Sequence, residues 1–316
     1  MPATSRHPEH RQPLLLLGEQ REEPRLQQAL ERWKISGPVG LIAAGWEEDE
    51  FEDEWVRSAV QNQVVNSQLY ELADRMFAED PEVLALLRSR QDRLRELREI
   101  NQVQVDRMCR VIRELMRRTT QSPAVQEALE LTARQIREAD EQHLQRVNEV
   151  LQEFEERIAP LNRPAVLTYR ASVLERLQGC ETLLLAGGHV GVLLNRLELS
   201  RLLTFLPLPV IAWSGGAMAL GERVYFFNQM IPHATGEMEL SRRGKGLYTQ
   251  MQLFPRADER LKVNDRIEMA LLAQRVAEPC LLLDHASELE WDGERLVNCA
   301  GVRFLQEDGD VVEWKP

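Results

Sequence analysis

A block of more than one hundred residues without glycine separates two parts of this chain and most constrains its fold. From Val83 to Arg118 the apolar residues recur at spacings of three, four and seven, which is the pattern of an amphipathic helix. A second such stripe follows Ser122 and Pro123 and continues to Ile158. The pattern therefore predicts a helical insertion over residues 49–163, built as an antiparallel hairpin that turns near residues 119–122.

On both sides of this insertion, short apolar runs alternate with helical patterns, which indicates a parallel sheet. The predicted strands are Pro13–Leu17, Val39–Ala44, Thr182–Leu185 and Val210–Trp213. The tail after residue 287 has turn signals at Asp292-Gly293 and Asp308-Gly309, so it is expected to form hairpins at the sheet edge. The predicted fold class is α/β, a three-layer sandwich around a mostly parallel sheet, with residues 13–48 and 164–316 in one domain and residues 1–12 as a flexible tail.

Charge and composition exclude several classes of protein. The formal net charge of −12 repels phosphate backbones and anionic lipid, so no nucleic acid or membrane partner is expected. The longest apolar run, Leu202–Trp213, contains two prolines and is too short to cross a bilayer, and the polar N-terminus does not resemble a signal peptide. These observations predict a cytoplasmic location. The four cysteines lie far apart without a C-x-x-C pair, which favours reduced thiols over disulfides or a zinc site.

Two polar residues, Asn101 and His143, fall on the apolar stripes of the predicted hairpin. Counting outward from the turn places them opposite each other. They form either a metal or catalytic pair or, as the simpler interpretation, a polar pair whose hydrogen bond fixes the register of the two helices.

The most informative segment for function runs from Val210 to Ala217, with the sequence Val-Ile-Ala-Trp-Ser-Gly-Gly-Ala. A serine on a sharp turn between a buried strand and a helix exposes its hydroxyl above the sheet, and small neighbours relieve the crowding of that turn. Ser214 is therefore a candidate nucleophile, and the Gly215 N–H is a candidate donor to an oxyanion. The alternative is that Ser214 only caps the helix that follows.

A second turn, Ala186-Gly187-Gly188-His189, also follows a predicted buried strand. Paired glycines allow backbone N–H groups to approach a ligand, so Gly188 is a candidate second oxyanion donor. His189 is either an imidazole of the site or the residue at which the next helix begins.

The sequence resembles the peptidase E and cyanophycinase family in four motifs. They are the two turns just described, Phe254-Pro255, and the later Leu283-Asp284. The resemblance covers roughly residues 13–50 and 164–300. It implies a class I glutamine amidotransferase-like fold and a serine hydrolase in which Ser214 is the nucleophile and Gly187, Gly188 and Gly215 frame the oxyanion hole. Gly45-Trp46 and the acidic residues after it resemble an uncharacterised branch of that family that carries a helical insertion.

The chain departs from the family pattern at two of the three catalytic positions. The family histidine follows a proline, where this chain has Arg256, and the family acid follows an aspartate, where this chain has His285. Arginine cannot accept the serine proton because its pKa is far too high. A working triad therefore requires His285 or His189 to act as the base, with His233 as a weaker third candidate.

Arg256 itself has two interpretations. It either clamps a substrate carboxylate, as suits a family that acts on aspartyl peptides, or pairs at the surface with Asp258 or Glu259. The resulting prediction is acyl transfer to Ser214 on a small acidic peptide or isopeptide, with no metal or organic cofactor. The alternative is a catalytically inactive relative that binds a small ligand or forms a homo-oligomer through the helical hairpin.

Overall fold

The computed structural model describes residues 12–118, 122–158, 162–227, 238–276 and 278–314. His233, the predicted turn residues 119–121 and residues 1–11 of the predicted tail lie outside these ranges. Within the described residues, no helix is long and apolar enough to cross a membrane.

The strands and helices are numbered here in chain order. The strands are β1 (Leu14–Leu17), β2 (Val39–Ile42), β3 (Val64–Asn66), β4 (Thr182–Leu185), β5 (Val210–Trp213), β6 (Arg223–Phe226), β7 (Glu239–Arg243), β8 (Gln252–Pro255), β9 (Cys280–Trp291), β10 (Leu296–Leu305) and β11 (Val311–Glu313). The α-helices are α1 (Leu26–Arg32), α2 (Glu54–Ala59), α3 (Leu69–Glu79), α4 (Pro81–Met116), α5 (Pro123–Ile158), α6 (Pro164–Arg176), α7 (Val190–Ser200), α8 (Leu202–Phe205), α9 (Gly215–Leu220), α10 (Ala257–Arg260) and α11 (Arg266–Arg275). A 3₁₀ segment covers Ala44–Asp49.

Nine of the described strands form the central sheet, in the order β11-β10-β9-β1-β5-β4-β2-β3, with β8 pairing beside β9. The pairs from β1 through β5, β4 and β2 to β3 are parallel, as is the pair of β8 and β9. Side chains of β1 alternate between two hydrophobic cores, because Leu14 and Leu16 pack on one face and Leu15 and Leu17 on the other. Helices therefore cover both faces of the sheet, and the predicted mixed α/β fold with a mostly parallel sheet and a long helical segment is confirmed.

The hairpin consists of α4 and α5, which have 36 residues each. The two helices lie antiparallel, since Arg93 of α4 pairs with Glu153 of α5, whereas Asn101, further along α4, donates through Nδ2 over 3.0 Å to Asp140, which precedes Glu153 in α5. Asp140 and Arg275 form a salt bridge in which both side chains are almost fully buried. The hairpin is thus packed along the α/β domain. At its base, Asp80, which precedes α4, forms a 2.6 Å ion pair with Arg163, which precedes α6.

The predicted bond between Asn101 and His143 is wrong. His143 Nε2 instead lies 3.3 Å from the carbonyl oxygen of Ser241 in β7. Asp140, which bonds Asn101, precedes His143 by three residues on the same helix. Both polar groups of α5 face the α/β domain, and the stronger acceptor, a carboxylate, is the one within reach of Asn101.

The segment predicted to be a purely helical insertion also contributes to the sheet. β3 pairs in parallel with β2 and forms one edge of the sheet, so the sheet extends past residue 49 to Asn66. The strand escaped prediction because it has only three residues, too few for a periodic pattern. The predicted C-terminal hairpins are present as the antiparallel strands β9, β10 and β11.

Candidate active site

The chain makes a sharp turn at Ser214, directly after β5 and before α9. Ser214 has φ 52° and ψ −126°, a left-handed conformation that a residue with a Cβ rarely adopts. Its side chain lines a cavity of about 430 Å³ and forms no hydrogen bond with any described residue, although Ser214 is only 7% exposed. A strained serine at the end of a parallel strand, with its side chain facing a cavity and without a protein partner, has the geometry expected of a nucleophile.

The turn after β4 lies directly against Ser214. A Cβ built on Gly187 would lie 2.9 Å from the Gly215 nitrogen and 3.3 Å from Ser214 Oγ. Gly188 has φ +98°, and a Cβ there would lie 2.2 Å from the Gly45 carbonyl oxygen, so the turn requires glycine for both conformation and space. Within the described chain, neither the Gly188 nor the Gly215 N–H donates to a protein acceptor. Two adjacent unpaired N–H groups beside a serine can hold an anionic oxygen.

Arg256 and His285 reach the same cavity from neighbouring strands. Arg256 follows β8, whose parallel pairing with β9 aligns Pro255 with Leu283 and so brings Arg256 close to His285. Close packing also draws the loop after β1 to this place, because a Cβ on Gly18 would collide with the Asp284 carbonyl oxygen at 1.7 Å. Arg256 and His285, which stand where the resembling family has its histidine and its acid, therefore line the same cavity as Ser214.

Glu259 of α10 joins these two side chains. Its carboxylate accepts from Arg256 Nε over 3.0 Å and lies 3.7 Å from His285 Nε2. The hydrogen bond from Arg256 lowers the pKa of Glu259, which keeps the carboxylate ionised. The other ring nitrogen of His285, Nδ1, is buried and has no hydrogen-bond partner among the described residues. In the tautomer with Nε2–H directed at Glu259, Nδ1 carries the unpaired lone pair that a base needs.

His189 is not part of this arrangement. It is exposed, does not line the cavity, and its Nδ1 accepts the Val192 N–H as the N-cap of α7 over 3.1 Å. Of its two interpretations, the structure supports the start of a helix. Arg256 pairs with Glu259, as the second of its two interpretations predicted, although its side chain also lines the cavity.

Several cavity residues were not predicted as site residues, although Trp46 entered the family resemblance and Glu259 was expected as a surface partner of Arg256. They are the tryptophans Trp46, Trp55 and Trp213 and the charged residues Glu19, Arg21, Glu22, Asp49, Glu52 and Glu259. Most follow the carboxyl ends of β1 and β2, where ligands bind in open parallel sheets. The predicted strands alone could therefore have indicated these residues as candidates for the site. Within the described residues there is no group of three or more His, Cys, Asp or Glu side chains placed to hold a metal ion.

Comparison with known proteins gives little guidance. Neither protein-family models nor curated proteins match the chain. Among solved structures, a peptidase from an acI-B1 Actinobacterium aligns at 12% sequence identity over 94% of this chain and 91% of that chain, with a TM-score of 0.43. A TM-score of this size does not establish a shared fold.

Proposed function

We propose that this protein is a serine hydrolase that transfers an acyl group to Ser214 and then to water. The observation that carries the proposal is the conformation of Ser214, which is strained, nine-tenths buried, unpaired and directed into a cavity. Such strain persists only where the surrounding structure holds it, and it concentrates at functional sites.

The proposed reaction uses His285 as the base. Ser214 Oγ attacks the carbonyl carbon of an amide or ester while its proton passes to His285 Nδ1. The Gly188 and Gly215 N–H groups stabilise the resulting oxyanion. Collapse of the tetrahedral intermediate breaks the bond to the leaving group, which takes the proton from His285. Water then attacks the acyl-enzyme by the same steps and restores Ser214.

Glu259 replaces the orienting acid of a triad in this proposal. Its carboxylate faces His285 Nε2 at 3.7 Å and stabilises the imidazolium that forms when Ser214 loses its proton. Arg256 positions Glu259 by hydrogen bonding and takes no proton itself. His285 and Ser214 share no hydrogen bond in the free structure, and such contacts commonly tighten when substrate binds.

The test is labelling of purified protein with a fluorophosphonate, read by intact mass and peptide mapping. We expect one adduct at Ser214, none in Ser214→Ala, and labelling at least about 100-fold slower in His285→Asn. His189→Asn is the matched control, because asparagine keeps the N-cap acceptor while removing an imidazole, and we expect its labelling rate to stay within about twofold of the wild type. Absence of an adduct, or equal rates in the two histidine variants, would refute the proposal.

The second candidate function is a catalytically inactive protein that oligomerises through the hairpin. Ile100 and Val103 of α4 favour it, since they are 45% and 56% exposed on one side of that helix. Light scattering across a concentration series distinguishes the two candidates. A constant monomer mass together with Ser214 labelling favours the hydrolase, whereas a mass that rises with concentration, reduced by Val103→Glu, in a protein that does not label favours the oligomer.

A further inference from the structure

The cavity beside Ser214 is strongly acidic. Its described lining carries five carboxylates and two guanidiniums, and Arg256 is already paired with Glu259. Arg21 is then the one cavity guanidinium set against the four carboxylates of Glu19, Glu22, Asp49 and Glu52. A substrate carboxylate entering here meets repulsion, and Arg256 would have to leave Glu259 to clamp it. The charges thus oppose the acidic substrate that the family resemblance implies.

Aromatic rings form another wall of the same cavity. Trp46 and Trp55 have ring centroids 5.9 Å apart, and Trp55 contacts Trp213 edge-on at the same centroid distance. Trp46 also lies against the turn at Gly188, since a Cβ on that glycine would be 3.0 Å from Trp46 Cδ1. Among the described residues, no arginine or lysine of the protein lies over these three rings, although five such stacked pairs occur elsewhere. Indole faces bind cations most strongly among the aromatic side chains.

The acidic and aromatic groups line the same cavity as the candidate nucleophile Ser214. Asp49 and Glu52 lie in the segment between Trp46 and Trp55, so the carboxylates and the rings are carried by the same stretch of chain. Ser214, nine-tenths buried and without a hydrogen-bond partner, lines the same cavity. A hydroxyl that faces a cavity and has no protein partner is free to contact a ligand bound there.

We infer that the substrate of this cavity is cationic, an amide or ester with a lysine-like or arginine-like side chain next to the carbonyl that Ser214 attacks. The inference rests on the proposed function for the attack itself. The cation contacts the faces of Trp46 and Trp55 and is held by the carboxylates of Asp49 and Glu52. Such a site selects against a neutral side chain of equal length and excludes an anionic one.

The test measures binding, so that its outcome does not depend on catalysis. Calorimetry on Ser214→Ala compares the methylamides of Nα-acetyl-lysine, Nα-acetyl-norleucine and Nα-acetyl-glutamate at about 0.1 M salt, where surface charges are partly screened. We expect the lysine compound to bind at least about tenfold more tightly than the norleucine compound, and the glutamate compound to bind most weakly. Equal affinities, no measurable binding of the lysine compound, or preference for the glutamate compound would overturn the inference.

Two variants test whether the named carboxylates are responsible. Glu52→Gln should reduce the preference for the lysine compound several-fold, because it removes a cavity charge while keeping the side-chain shape. Glu54→Gln is the matched control, since Glu54 is exposed on the same segment but does not line the cavity, and it should leave the preference unchanged. Equal effects of the two variants would also overturn the inference. The hydrolase proposal is tested separately, because it fails if the wild type is not labelled by a fluorophosphonate.

Discussion

Replacing Gly188 with alanine should separate the role of its turn in catalysis from its role in stability. An alanine at position 188 is unfavourable for two reasons. The backbone has a positive φ of +98°, and the new Cβ would lie 2.2 Å from the Gly45 carbonyl oxygen. Gly179 offers a matched control, because its φ is +84° and nothing lies within 4 Å of its Cβ position. Both variants carry the left-handed penalty of about 1–2 kcal/mol, but only Gly188→Ala must displace the backbone beside Ser214.

That displacement moves the Gly188 N–H away from the developing oxyanion. Loss of one such donor costs about 10²–10³-fold in rate, equivalent to roughly 2.7–4 kcal/mol of transition-state stabilisation. The assay is the second-order rate of fluorophosphonate labelling, with thermal unfolding of both variants measured in parallel. We expect Gly188→Ala to lose about 100-fold or more and Gly179→Ala to stay within about threefold of the wild type. Equal labelling rates in the two folded variants would refute an oxyanion role for this turn.

Three further predictions concern stability and thiol chemistry. Asp140→Leu should lower the free energy of unfolding by about 3–5 kcal/mol, because it leaves the buried Arg275 guanidinium without a carboxylate and removes the acceptor of Asn101. Adding Arg275→Met should recover much of that loss in urea denaturation, and a cost below about 1 kcal/mol for the single variant would contradict the reasoning. Hydrogen bonding to Arg163 lowers the pKa of Asp80, so this pair stabilises the fold above the ordinary aspartate pKa of about 4 and loses that contribution as the pH falls through the lowered value. Asp80→Asn should therefore flatten the acid side of the stability profile in unfolding experiments at several pH values, and an unchanged slope would count against the pair. Under native conditions one thiol, Cys299, should react with a disulfide reagent, since the other three cysteines are buried; rapid reaction of more than one thiol before unfolding would disagree with the packing.

The repetitive parts of this fold were predictable because their residues act locally. The 36-residue helices α4 and α5 follow from long apolar stripes, and the four-residue strands follow from runs such as Leu14–Leu17, which are apolar on both faces. β3 was missed because its short apolar run is meaningful only once β2 offers an edge to pair with. Asp140 was missed as the partner of Asn101 because a one-turn difference along a helix depends on how the helices dock.

The candidate site was predictable in its backbone and less so in its side chains. The sequence around Ser214 and Gly188 dictates tight turns that only small residues allow, and both turns occur where they were expected. Glu259 could not be assigned from the sequence, because its contact with His285 requires β8 and β9 to be neighbours. Likewise, the proposed preference for a cation depends on residues 46–55 and Ser214, distant in the chain, lining one cavity, and this arrangement exists only after folding.

The position of β1 also determines the order in which this protein can assemble. Leu14–Leu17 pair with residues 210–213 on one side and 288–291 on the other. The ribosome must therefore synthesise residues 18–291 before Leu14–Leu17 can pair on both sides, and these four leucines lack at least one neighbouring strand until then. The hairpin needs only contacts between neighbouring segments, so we expect it to form on the nascent chain first. Its early formation also brings Asp80 and Arg163 together, which shortens the loop that the late pairing of β1 must close.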